Sequence, residues 1–235
     1  MKNAQSAVKG WGLSILLLAM VCVGGSLISG CGSKQDPPVD MADILAGEAL
    51  ADYNHGNYYD ALEAFQKIKD HYPFSQHSLL AELKIADCNY YLNKYDDARP
   101  QYEEFEQNHP TNEAIPYVLF QIGRSYFKMI DTIDRDPSGA NNAIQAFSRL
   151  IKTYPDSPYT VEAQVKITAA KDFLARHELY VATFYKRTKE FKQAEGRLEY
   201  ILDTYPESSV VDQARKMVGE VRGKIAEKEA EEKSK

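Results

Sequence analysis

The sequence predicts an all-α fold: a right-handed superhelical solenoid of about five helical hairpins. Two observations carry this. The first is a frame, Gly56-x-Tyr58-x-x-Ala61-x-x-x-Phe65-x-x-Ile68-x-x-x-x-Pro73, that recurs three more times along the chain. The second is apolar spacing of the helical kind in every copy, with proline or glycine between copies. A hairpin of two helices leaves two apolar faces, so such units gain stability by stacking on one another.

The elements follow in order. The first helix begins near Pro38–Asp40, with Asp40 as N-cap, and runs to about Asn54. His55-Gly56-Asn57 turns the chain. The second helix runs from Tyr58 to Asp70 with Ala61, Phe65 and Ile68 on one face, and Tyr72-Pro73 stops it. The second copy pairs a helix over about Ser78 to Asn93 with one carrying Tyr95, Ala98, Tyr102 and Phe105. Ala98 lies 37 residues after Ala61, and Pro110 lies 37 after Pro73.

The third copy has its first helix from about Ala114 to Met129, with Gly123 at the close-packing position. Its second helix carries Ala143, Phe147 and Leu150. Ile130 to Ala140 forms an inserted loop, about eight residues longer than the other turns. A long helical pattern from about Tyr159 to Arg187 follows. The fourth copy of the second helix carries Phe191, Ala194, Leu198 and Ile201, and a last helix over about Ser208 to Lys228 closes the array. Residues 229–235 read as a polar tail.

The first 40 residues differ in kind. Lys2 and Lys9 precede an apolar run from Ile15 to Val23, too short to span a bilayer comfortably. Ile28-Ser29-Gly30-Cys31 then resembles the lipobox of bacterial lipoproteins. The resemblance implies a signal peptide over 1–30, lipidation of Cys31, and a tether over 31–40 stiffened by Pro37-Pro38. Several acyl chains bury enough methylene groups to anchor a soluble domain durably. No aspartate follows Cys31, which implies the outer membrane, facing the periplasm.

Composition narrows the function. The formal charge is -6; without Lys2 and Lys9 it is 26 bases against 34 acids, or -8. Such acidity does not suit nucleic-acid binding, which needs a basic patch. Cys22 leaves with the signal peptide, so Cys88 has no intrachain partner for a disulfide and reads as a packing residue. The five histidines show no metal-ligand spacing, and no nucleophile motif or phosphate loop occurs. No catalytic residues, metal or cofactor are expected.

The recurring frame resembles the tetratricopeptide repeat. In those arrays the first, or A, helix of each hairpin lines the concave face. By that register the groove positions are Tyr53 and Asn54, then Asp87, Tyr90 and Tyr91, then Arg124, Phe127 and Lys128. Aromatic rings flanked by polar groups suit an extended peptide. Inter-repeat packing is the competing role for Tyr53 and Tyr90.

Particular segments resemble the BamD (ComL/YfiO-type) family of outer-membrane assembly lipoproteins. They are Tyr72-Pro-Phe-Ser75, His109-Pro-Thr111, Asp134-Arg-Asp-Pro137, Tyr154-Pro-Asp-Ser-Pro-Tyr-Thr160, His177 to Tyr185, and Arg197-Leu-Glu199 leading to Tyr205-Pro-Glu-Ser208. The resemblance implies a non-enzymatic scaffold of the β-barrel assembly (Bam) complex. It implies binding of a BamA-like barrel protein, through its POTRA region, around Arg197. It implies receipt of unfolded outer-membrane protein clients around Tyr53, Tyr90 and Tyr91, and contact with other Bam lipoproteins is also possible. A periplasmic tetratricopeptide adaptor for cell-wall or division machinery is the alternative; such adaptors typically carry an N-terminal coiled coil, and none is legible here.

Overall fold

In each of the four repeats the second helix ends the same way, because the same residues stop it. Tyr72, His109, Tyr154 and Tyr205 each precede a proline, which bars the helical conformation at that position. Their φ/ψ values are -130/50, -130/54, -132/66 and -127/53. Each N–H still closes the last turn, on the carbonyl oxygens of Ile68, Phe105, Leu150 and Ile201.

The computed structural model describes residues 40–234. The expected signal peptide, the expected lipidation site at Cys31 and the expected tether up to residue 39 lie outside the described residues. Met41–Lys235 forms one compact unit. The described helices are α1 (Met41–His55), α2 (Tyr58–His71), α3 (Ser78–Tyr91), α4 (Tyr95–Asn108), α5 (Ile115–Lys128), α6 (Ser138–Thr153), α7 (Thr160–Arg187), α8 (Phe191–Thr204) and α9 (Val211–Lys233). No strand occurs among the described residues. Each helix packs on the next along the chain, as in a tetratricopeptide-like solenoid. None is long and apolar enough to cross a membrane.

Among the described residues the nine helices make four complete hairpins followed by α9, in line with the expected array of about five. α9 runs to Lys233, past the expected end at Lys228. Alternating acids and bases there, such as Lys224 bonded to Glu227 at 2.7 Å, support a solvated helix. α6 begins at Ser138, inside the expected loop. Asp136 accepts bonds from the backbone N–H and the hydroxyl of Ser138, at 3.0 and 2.8 Å, which starts the helix early.

The turns within hairpins share a device. Gly56, Asn93 and Lys189 take φ of 83°, 60° and 65°. Gly56 and Asn93 each stand 15 residues after the start of their A helix, at Met41 and Ser78. The left-handed residue reverses the chain in one step. The third hairpin replaces it with the inserted loop, which is tied down where the Ile133 carbonyl oxygen meets His177 Nδ1 at 2.6 Å.

The frame residues are the core. Ala61, Phe65, Ile68, Ala98, Tyr102, Ala143, Phe147, Leu150, Ala194, Leu198 and Ile201 are all fully enclosed. Gly123 lets α5 and α6 meet: a Cβ there would stand 2.5 Å from the Phe147 ring. α7 belongs to two cores. Its Ala163 and Ile167 join the cluster built on α3 to α6, and its Ala175, Leu179 and Ala182 join the cluster of α8 and α9.

Candidate functional site

Asp87 is the centre of the candidate site, and it is buried. It faces inward on α3 because its neighbours on α1, α4 and α5 all present hydroxyls to it. Its Oδ1 accepts from Tyr102 and Tyr117, each at 2.7 Å. Its Oδ2 accepts from Lys84 Nζ at 2.8 Å and from the Tyr53 hydroxyl at 3.3 Å. Three tyrosines and one lysine thus satisfy a carboxylate that would otherwise be costly to bury.

The network continues along the A helices. Gln121 Nε2 donates to the hydroxyls of Tyr117 and Tyr102 at 2.8 and 3.3 Å. Arg124 Nη1 donates to Gln121 Oε1 at 2.9 Å. Lys84 therefore connects to Arg124 through Asp87, Tyr117 and Gln121, across α3 and α5. The guanidinium of Arg124 also lies over the Tyr90 ring, 4.6 Å from its centroid. The Lys84 ammonium lies over the Tyr53 ring at 4.1 Å.

Beside Lys84 stands a tyrosine cluster. Tyr58 and Tyr91 stack with centroids 4.8 Å apart, and Tyr53 meets both edge-on, at 5.6 and 6.0 Å. Burial, reinforced by the Asp87 charge, raises the hydroxyl pKa of Tyr53, Tyr102 and Tyr117 above the ordinary tyrosine value. They remain donors at every physiological pH. The same two causes push the Cys88 thiol up to about 12, which leaves it an unreactive packing residue.

These positions sort the groove residues expected from sequence. Asn54, Tyr91 and Lys128 are exposed, and Tyr53, Arg124 and Phe127 are half-buried. Phe127 carries the Lys166 ammonium over its ring at 5.2 Å. Asp87 and Tyr90 are buried, so the expectation that they line the groove is corrected. Asp87 faces inward because its acceptors are taken by tyrosines of neighbouring helices. Tyr90 packs edge-on to Tyr91 and Tyr95 of its own hairpin. Arg197 stands apart from this group: it lies on α8 and bonds Glu178 of α7 at 3.0 Å.

Lys84, Tyr102, Tyr117 and Gln121 were missed as site residues. One signal was available. The frame's aromatic position holds Phe65, Tyr102, Phe147 and Leu198. A single hydroxyl among four enclosed side chains points to a buried acceptor nearby.

The comparisons agree with this architecture. A family model described as YfiO: Outer membrane lipoprotein matches residues 41–235. The outer membrane protein assembly factor BamD of Vibrio cholerae is 31% identical over 197 residues, covering 78% of this chain and 80% of that protein. The BamD of Xylella fastidiosa is 29% identical over 219 residues, covering 87% and 74%. That of Neisseria meningitidis is 27% identical over 209 residues, covering 85% and 77%. A tetratricopeptide repeat protein from Parabacteroides merdae is 14% identical, with a TM-score of 0.42 and coverage of 80% of this chain and 76% of that one; that likeness is too remote to add to the argument. The helical hairpins that begin at Met41, with their lengthened third turn and long α7, are the part that the family model spans, and the chain belongs to the YfiO outer membrane lipoprotein family.

Proposed function

We propose that this chain is an outer-membrane protein assembly factor that works as a scaffold, with no chemistry of its own. Lipidation of Cys31 holds it on the periplasmic face of the outer membrane. The fourth hairpin around Arg197 takes the POTRA region of a BamA-like barrel protein. The A-helix face around Tyr53, Tyr91, Arg124 and Phe127 takes unfolded outer-membrane protein clients.

The observation that carries the client half of this reading is the bonded row from Lys84 to Arg124. It holds two cations and a tyrosine cluster in fixed places across two repeats. Preorganised cations and flat aromatic faces recognise an extended chain at low ordering cost. The buried carboxylate makes the row rigid and leaves the outer edges of Tyr91, Lys128 and Asn54 in solvent.

The test is site-specific photocrosslinking in cells, with the reactive group at exposed Tyr91 and, separately, at Arg197. The expected result is nascent barrel protein at the first position and the POTRA-bearing partner at the second. Normal barrel levels in the outer membrane after depletion of this chain would overturn the assignment. Labelling of membrane-anchored chain with radioactive palmitate, abolished by Cys31→Ala, tests the anchor separately.

A further inference from the structure

α7 contains two A helices fused end to end. The loop frame places one start at Thr160, five residues after Pro155, as Ser78 follows Pro73 and Ile115 follows Pro110. The frame of the fourth hairpin places a second start at Leu174, 20 residues before Ala194, as Met41 precedes Ala61 and Ser78 precedes Ala98. The chain therefore carries an A helix from 160 that has no second helix, or B helix, of its own. The missing helix leaves an open berth.

The berth is legible in burial. At the fourth, fifth and eighth residues after the start, α5 has Leu119, Phe120 and Gly123, all buried. α7 has Gln164, Val165 and Thr168 there, all exposed. Val161 and Val165 are 76% and 63% exposed and lie one turn apart. At one end the turn after α8 closes the strip, through Ser208 Oγ and Ser209 N–H bonded to Asp172, each at 2.8 Å.

α9 provides the contrast. Among the described residues no B helix follows it, and its equivalent positions are Arg215, Lys216 and Gly219, with Asp212 in the place of Val161. A surface meant for water is charged there. The berth on α7 carries valines instead.

We propose that this berth takes an amphipathic helix of about four turns from a different protein, lying antiparallel to α7. A helix fits because the exposed positions 161, 164, 165 and 168 follow one ridge of α7, and because α7 offers no free backbone for a strand. The donor is a different protein because the B helices of this chain already bury their apolar stripes at Ala61, Ala98, Ala143 and Ala194. Charge sets the direction. Lys171 stands exposed at the end that meets the incoming N-terminus, whereas Glu162 at the other end is already paired with Lys166 at 3.3 Å. The partner helix is therefore acidic in its first turn, opposite Lys171, as α2 is with Asp60.

A direct probe is the α2 sequence itself, residues 58–71. A lactam between Glu63 and Lys67, which pair at 2.8 Å, locks the helix, and a fluorescein is added at the N-terminus. Fluorescence anisotropy with the mature chain should show saturable binding that Val165→Asp weakens at least tenfold. Circular dichroism should be unchanged, since Val165 is exposed. Lys171→Glu should weaken binding severalfold, and a probe with Asp60→Lys should restore it. Equal binding by wild type and Val165→Asp, or no saturable binding, would overturn the proposal. So would a wild-type dimer in sedimentation equilibrium that Val165→Asp dissolves, because the occupant would then be a second copy.

Discussion

Gly123→Ala should destabilise this protein, although alanine is the better helix former. An ideal Cβ at 123 would stand 2.5, 2.6 and 2.9 Å from Cε1, Cδ1 and Cζ of Phe147. Carbon atoms rest at about 3.5–4.0 Å, so the ring would have to retreat by roughly 1 Å. It has nowhere to go: Phe147 is fully buried and packs on Phe120 with centroids 5.8 Å apart. Overpacking of this kind costs about 1–3 kcal/mol. Replacing glycine in a helix interior returns about 1 kcal/mol. The net loss is about 1 kcal/mol, or a fall in Tm of about 3 °C for a domain of this size. Gly219→Ala is the matched control. It lies in α9, where an added Cβ meets nothing within 4 Å, so it should gain up to ~1 kcal/mol. Urea and thermal unfolding followed by far-UV circular dichroism suit both, since Trp11 is the only tryptophan and lies in the expected signal peptide. Opposite signs are the expected result. If Gly123→Ala matches or exceeds wild type, as Gly219→Ala should, the close-packing account of α5 and α6 is wrong.

Other expectations use the same unfolding assay. Asp87→Ala strands the hydroxyls of Tyr53, Tyr102 and Tyr117, and should cost about 3–5 kcal/mol; Tyr102→Phe removes the bond to Asp87 and the one accepted from Gln121, and should cost about 2 kcal/mol. Lys189→Gly relieves a left-handed non-glycine residue on the surface and should raise stability by about 0.5–1 kcal/mol. Burial would raise the Asp172 pKa, but bonds from Ser209 and Ser208 and the nearby Arg176 charge outweigh it, and the net shift is downward. Its contribution is thus present above the ordinary value of about 3.9 and is lost as pH falls through the depressed folded value. The stability gap between wild type and Asp172→Ala should accordingly be widest at neutral pH and shrink below about pH 3.5; a gap that stays constant from pH 7 to pH 2.5 would contradict it.

The residues Ala61, Phe65, Ile68 and Pro73 and their three recurrences determine the array from sequence alone. The reason is local: helical spacing sets each buried face, and a pre-proline residue sets each stop. The family was legible for the same reason, since its marks are turns and insertions that sit in contiguous residues. The candidate site was only half legible. Register placed Asp87 and Tyr90 on the A-helix face, but register does not reveal which groups the neighbouring helices bring. Tyr53, Tyr102 and Tyr117 come from three other helices, and their hydroxyls draw Asp87 inward. The open berth on α7 is similar. Sequence showed a long helix without glycine or proline. That it is two A helices missing one B helix emerges only when Val165 is found in solvent at the position where Phe120 is buried. Local spacing determines which elements exist, and only the tertiary structure decides which of their faces find a partner.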